Sequence, residues 1–403
     1  MALSILTKSS ADRVLSGPIQ IPYIDAGTEA RVDLPDGIFN VQKVSGAEIW
    51  LTIDFRLGVA TTWAEAGHSI TWCQHRLSAK EDDSLPYGIE RPIMSSAITT
   101  HDTQLHYRFV GCDFHFNFSR ARGTLVEWMY GGRSVLKKRS TAADPLLGLD
   151  FWRAPTDNDA AYMSNEWKRY GLDAMTCQLR SFSLDTTVSG PNKVRLLATY
   201  YYTPPILAWG FVANLSYEIS STGQLSIKVH LTPQGNTPTT LPRVGLNIQL
   251  DPSFQQATWY GLGPSESYMD KQSSQKLGIW NLPIRSLQTP YEVPQENGNR
   301  TQTRWVKVLN EQGLGIKATY LAGKSNPRDK EFFQWAACLH DADMLEKTRH
   351  PCDLVEREGA LWRLDADNAG VGTGACGPGV KIVDQVECRE REFTFVLEPA
   401  IDF

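Results

Sequence analysis

The sequence predicts an all-β protein, and three observations carry that expectation. Short runs alternate apolar and polar residues with the period of two that places every second side chain on one face of a pleated strand. Gly, Pro and Ser punctuate those runs at close intervals, as the turns of a β-sandwich require. The clearest helical pattern is a single short stretch, 160–170, and it follows an Asp-rich turn able to cap a helix.

Taken in order, the first strand is Glu48-Ile49-Trp50-Leu51-Thr52-Ile53-Asp54-Phe55, with Ile49, Leu51, Ile53 and Phe55 on one face. A second lies within 68–77, after turn signals at Gly58 and Gly67. The theme returns at 193–202, 210–219, 224–231 and 244–250, and again at 361–364, 380–386 and 392–397. Charges, two prolines and Tyr87-Gly88 interrupt it over 78–92, which places a domain boundary there. Residues 1–90 then have the size of an immunoglobulin-like sandwich. That sandwich is short of strands at its start, as for a chain beginning inside a larger polypeptide or one with a loosely ordered arm. Residues 91–403 are long for one domain and demand a large two-sheet core.

Composition narrows the function classes. Of 403 residues, 41% are hydrophobic and 21% charged, which is ordinary for a folded globular chain. A net charge of −5 removes the electrostatic footprint of a nucleic-acid binder. No apolar run approaches the roughly 18 residues of a membrane span, and residues 1–10 lack the apolar core of a secretory leader. The seven cysteines are odd in number and widely spaced with no C-x-x-C pair, so neither a disulfide framework nor a zinc site is expected. A reduced, cytoplasmic protein without nucleic-acid or membrane partners is the expectation.

No self-contained catalytic pattern appears: no phosphate loop, no H-E-x-x-H and no G-x-S-x-G elbow. Gly370-Val371-Gly372-Thr373-Gly374 resembles part of a dinucleotide fingerprint, but Pro378 blocks the helix that would hold the pyrophosphate. A surface loop fits better. The pairs His101/His106 and His340/His350 have no Cys or carboxylate at ligand spacing and read as surface or packing pairs.

Three segments combine aromatic rings, Asx residues and prolines: Phe151-Trp152-Arg153-Ala154-Pro155-Thr156-Asp157-Asn158-Asp159, Trp259-Tyr260-Gly261-Leu262-Gly263-Pro264-Ser265-Glu266-Ser267-Tyr268-Met269-Asp270, and Pro290-Tyr291-Glu292-Val293-Pro294-Gln295-Glu296-Asn297-Gly298. Flat rings beside hydrogen-bonding groups can hold a sugar. The same residues can also make rigid turns, with rings packed inward and Asp or Asn bonded to backbone. The turn reading ranks first, and both stay open.

In this order the segments resemble F-W-R-A-P-x-D-N-D, W-x-G-x-G-P-x-E-x-Y-x-D and T-P-Y-x-x-P-x-E-N-G-x-R of the large β-galactosidases of glycoside hydrolase family 2. The loop 370–378 is similar to the family's G-x-G-G-x-x-S-x-x-P segment, and Trp63-Ala64-Glu65-Ala66-Gly67-His68 to its W-A-x-A-G-H, so the resemblance runs from about Gly46 to Leu397. It implies an immunoglobulin-like β-sandwich followed by a galactose mutarotase-like super-sandwich. It also implies that the catalytic glutamates, with the magnesium and sodium sites, belong to a (β/α)₈ barrel of which this chain shows no pattern. No catalytic residue, metal ligand or cofactor is then expected in this chain.

What the resemblance leaves here is a substrate rim or carbohydrate contact. Its candidates are Trp152, Arg153, Asp157, Asn158, Asp159, Glu296, Asn297 and Cys376. Of these, Arg153 and Asp157–Asp159 are favoured as turn and interface residues, and Trp152 as buried. Cys376 stands by position where some family members place a tryptophan, and a thiol offers a sugar no flat face. The partners implied are a barrel-bearing β-galactosidase chain or a homo-oligomer, and a β-galactoside such as lactose. The alternatives are a stand-alone carbohydrate-binding protein and a non-functional gene fragment.

Overall fold

The computed structural model describes residues 2–7, 13–19, 21–35, 48–78, 97–138, 145–323 and 331–401. They form two compact units, Met1–Pro92 with Lys276–Ile279, and Ile93–Gln275 with Trp280–Phe403. The boundary expected over 78–92 falls outside the described residues from 79 onward.

The first unit holds a four-stranded antiparallel sheet in the order Arg13–Pro18, Ala2–Thr7, Ile49–Arg56, Ser69–Ser78. Ile19, Ile49 and Leu51 form its core, with Val32, Leu34, Ile53 and Leu77 against them. The inward face anticipated for Ile49–Arg56 ends at Ile53. Phe55 is exposed, while Asp54 is buried and accepts from the Ser69 hydroxyl and from Arg56 Nε at 2.8 Å. A buried carboxylate with two donors on its own sheet is well compensated, so the alternation breaks there at little cost. Beyond this strand Trp63 and His68 meet edge to face.

The second unit is a sandwich on a larger scale. A nine-stranded sheet runs Thr176–Leu184, Lys193–Thr203, Trp209–Ser220, Leu225–Gly235, Arg391–Ile401, Leu314–Ala322, Trp305–Asn310, Phe254–Gly263, Lys276–Pro283, the last strand belonging to this unit from Trp280 onward. Its antiparallel register lines up Leu196, Tyr217, Ile227, Phe395 and Tyr320 in one cross-strand row. Opposite lie two five-stranded sheets. One is ordered Thr99–Asp102, His106–Val110, Phe114–Ser119, Thr124–Tyr130, Arg133–Ser134, and the other Leu147–Asp150, Arg243–Gln249, Leu361–Asn368, Phe333–Cys338, Arg300–Thr303. Rings bridge the layers: Phe118 meets Tyr217 with centroids 5.3 Å apart, Phe151 stacks on Phe211 at 4.7 Å, and Phe333 meets Phe395 at 5.6 Å. Strict alternation along Lys193–Thr203 buries Val194, Leu196, Ala198, Tyr200 and Tyr202 on the inner face. The unit is thus all-β, as its pattern predicts.

Two expectations change. The helix expected over 160–170 begins earlier and is broken, into Asp157–Ala161 and Met163–Arg169. Thr156 caps the first piece and Asp159 returns the bond to the Thr156 N–H, a capping box that draws the Asp-rich turn into the helix itself. The strand expected over 380–386 shrinks to Val386–Glu387, paired with Thr240–Leu241. Ile382–Asp384 make a single 3₁₀ turn with Ile382 and Val383 exposed, and among the described residues no strand pairs with them.

Candidate functional site

The polar segments of the sequence converge in the second unit around the loop 370–378. Arg153, with no exposed side-chain surface, is the pivot. Its guanidinium donates to Asp159 Oδ1 at 2.8 Å, to Asn368 Oδ1 at 2.9 Å, and to the carbonyls of Ala369 and Gly370 at 2.6 and 2.9 Å. One planar fork thereby ties the capped helix to the strand that leads into the loop, a geometry Lys cannot reproduce. Asp159 is equally buried and divides itself between this pair and the Thr156 cap. Asn158 points to the loop: its Nδ2 donates to Gly372 O at 2.9 Å, and its Oδ1 accepts from Ala375 N at 3.0 Å.

The second motif supplies the opposite grip. Asp270 accepts from Val371 N at 2.9 Å and from Gly372 N at 2.7 Å. A side chain on Gly370 would place its Cβ 2.5 Å from the Asp270 carboxylate, so that glycine is a steric requirement of the clamp. Cys376 sits on the exposed part of the loop, its N–H bonded to Thr373 O.

The third motif is fastened by Glu266. Its carboxylate accepts from Gly298 N, Thr289 Oγ1, Lys271 Nζ and Tyr291 Oη. Burial opposes its charge, and these donors outweigh burial and hold the carboxyl below its ordinary value. Arg300 lies against both Trp259 and Trp335, which meet edge to face, and donates to Leu287 O at 2.9 Å and Pro264 O at 3.1 Å, which locks the segment's far end. Glu296 is buried, bonded to Arg363 Nη1 at 2.7 Å and Tyr268 Oη at 3.4 Å. Asn297 closes the turn internally, accepting from Thr289 N and donating to Gln295 O. Gln295 reaches Asp157, donating to its carboxylate and accepting from its N–H, both at 3.2 Å. Beneath, Arg243 pairs with Asp365 and Asp150, extending the ion pairs across the sheet.

The residues marked in the sequence are therefore brought together, chiefly as braces. Trp152 is 9% exposed and lies edge-on to Trp167. Of the eight, Asp157 and Cys376 are exposed and Asn158 is half-buried, while Trp152, Arg153, Asp159, Glu296 and Asn297 are inside. The sequence reasoning missed Asp270 and Glu266 as clamps. Their signal was present, since both sit inside a motif quoted in full, but a carboxylate bound to backbone amides far along the chain leaves no local mark. Among the described residues no group of three or more His, Cys, Asp or Glu could hold a metal ion.

The model of the β-galactosidase small chain matches residues 110–397, a span that includes all of these motifs, and the model of β-galactosidase domain 4 matches residues 2–78. The chain belongs to the β-galactosidase small-chain family. It is 29% identical over 340 residues to a β-galactosidase of Kluyveromyces lactis, covering 84% of this chain and 31% of that protein. This chain thus spans about a third of the length of the curated relative it matches, and it comprises the domain 4 and small-chain regions, with no catalytic barrel among its described residues. Among solved structures it is similar to a putative mutarotase of Salmonella typhimurium, with 9% identity, TM-score 0.40, and 77% of this chain and 97% of that one covered. It is also similar to a putative aldose 1-epimerase of Escherichia coli, with 10% identity, TM-score 0.39, and 76% and 100% covered.

Proposed function

We propose that this chain is the non-catalytic part of a retaining β-galactosidase of glycoside hydrolase family 2. On this reading it completes the rim of an active site whose barrel comes from a barrel-bearing chain, with homo-oligomer contacts as the other partnership. The observation that carries the reading is the loop 370–378: two separate motifs spend polar side chains on fixing it, and Thr373, Ala375 and Cys376 are left exposed.

The site's own acids support a role away from bond cleavage. Retaining hydrolysis needs two carboxyl groups about 5–5.5 Å apart, one of them free to give and take a proton. Asp159, Glu266 and Glu296 are instead bonded to Arg153, Lys271 and Arg363. The nucleophile, the acid/base and the magnesium and sodium ions then belong to the barrel part, and the substrate class is terminal β-D-galactosides, lactose included. Seven free cysteines fit a reducing, cytoplasmic setting. Among the described residues no helix is long and apolar enough to cross a membrane.

The test is hydrolysis of nitrophenyl β-galactoside by the purified chain, alone and mixed with a barrel-bearing fragment of a related enzyme. Turnover in the mixture only is the expected result. Turnover by the chain alone would place a catalytic pair within it and end this reading. Silence in both, with galactoside binding by the isolated chain, would favour a stand-alone binding protein.

A further inference from the structure

A cavity of about 280 Å³ lies in the second unit where its two five-stranded sheets meet, against the nine-stranded sheet. Thr124 and Leu147, one from each smaller sheet, bridge the seam through the Thr124 hydroxyl, which donates to Leu147 O at 2.9 Å. The facing wall is the inner side of Lys193–Thr203 and Trp209–Ser220, where alternation along each strand places Tyr200, Tyr202 and Tyr217. Inward positions of a sandwich ordinarily carry apolar side chains, and here three phenols bring polar tips into the interior.

Only part of that polarity is satisfied by the fold. Tyr200 Oη donates to Gly123 O at 2.6 Å. Tyr217 Oη stands 3.4 Å from Tyr200 Oη, a long contact that a better placed acceptor would replace. Tyr202 is paired across the strands with Cys177. Burial pushes all three phenols above their ordinary value, so each keeps its proton and remains a donor. Arg122 lines the same cavity, and its Nη1 is shielded from solvent with no hydrogen-bond partner among the described residues. A sheltered guanidinium nitrogen without a partner is costly, and an anionic oxygen is the group that satisfies it best. Among the described residues no Asp or Glu lines the cavity to compete for that charge.

We propose that this cavity binds a small organic acid, with the carboxylate on Arg122 and the carbon body beside the rings of Tyr200 and Tyr202. Leu147, Leu179 and Pro145 add apolar wall, which favours such a body over a bare oxyanion. The volume lies just below the roughly 300–1,000 Å³ of sites for drug-sized molecules, so the body is about one ring in size. The cavity shares no residue with the loop 370–378 or its clamps, and the proposal stands apart from the galactosidase reading.

The test is titration calorimetry of the whole chain with benzoate, with inorganic phosphate as the bare oxyanion and galactose as the neutral ring. Benzoate is expected to bind about tenfold or more tighter than either, and Arg122→Gln to weaken it by about tenfold or more. A second measurement needs no variant. Cys177 lines the cavity and is exposed, so saturating benzoate should slow its alkylation by iodoacetamide about threefold or more, while exposed Cys376 reacts as before. Absence of benzoate binding, or equal binding by a folded Arg122→Gln, would overturn the site. So would phosphate or galactose binding as tightly as benzoate, or bound benzoate that leaves Cys177 unprotected.

Discussion

Replacing Arg153 by Met is the sharpest test of how the site is built. The guanidinium has no exposed surface and serves Asp159, Asn368 and two loop carbonyls at 2.6–3.0 Å. Met fills similar volume but leaves the Asp159 carboxylate buried without its cation. Breaking one side of a buried pair costs about 3–5 kcal/mol, and for a unit of about 300 residues each kcal/mol moves the midpoint by about 1.5 °C. A fall of about 5–8 °C follows, read by circular dichroism melting of the whole chain. Asp159→Asn keeps an oxygen for the Thr156 N–H while removing the charge. The double variant should therefore recover about 1 kcal/mol or more relative to the sum of the singles. A midpoint within 2 °C of the parent for Arg153→Met, or strict additivity in the cycle, would refute the picture of a desolvated ion pair holding the loop.

Three further outcomes follow from the same geometry. Glu266 is held below its ordinary value of 4.5, so its contribution to stability is complete above that pH and is lost as pH falls through the depressed value; Glu266→Gln should flatten this acid limb in melts between neutral pH and pH 3. Gly370→Ala drives a methyl into the Asp270 carboxylate, so amide hydrogen exchange at Val371 and Gly372 should rise at least tenfold, without change in the Leu225–Gly235 strand. Burial pushes the Cys388 thiol up to about 11; at pH 8 it should resist alkylation in the folded chain while exposed Cys376 reacts, as peptide mass spectrometry would show.

How much of this was legible beforehand depends on the range over which each signal acts. Strands such as Lys193–Thr203 and Trp209–Ser220 announce themselves, because each buries one face and the alternation is local to the strand. The turn at 380–386 does not: Val380 and Ile382-Val383 have strand composition, but among the described residues no strand pairs with them, which is a tertiary fact. The site shows the same division. The motifs could be marked as loops rich in Asp, Asn and rings, and Trp152 expected inside. That Asn158 would grip Gly372 and Ala375, or Asp270 the amides of Val371 and Gly372 a hundred residues away, depends on chain closure that no window of sequence contains.

The strand Arg391–Ile401 lies in the middle of the nine-stranded sheet, between Leu225–Gly235 and Leu314–Ala322, and pairs with both. During synthesis both neighbours leave the ribosome long before it does. Until it arrives, each presents a long unpaired backbone edge with an apolar face, the species most prone to joining another chain. Yield should therefore be limited by the wait for this one segment, and slower elongation or a holding chaperone should matter more to recovery than any change to the surface of the finished protein.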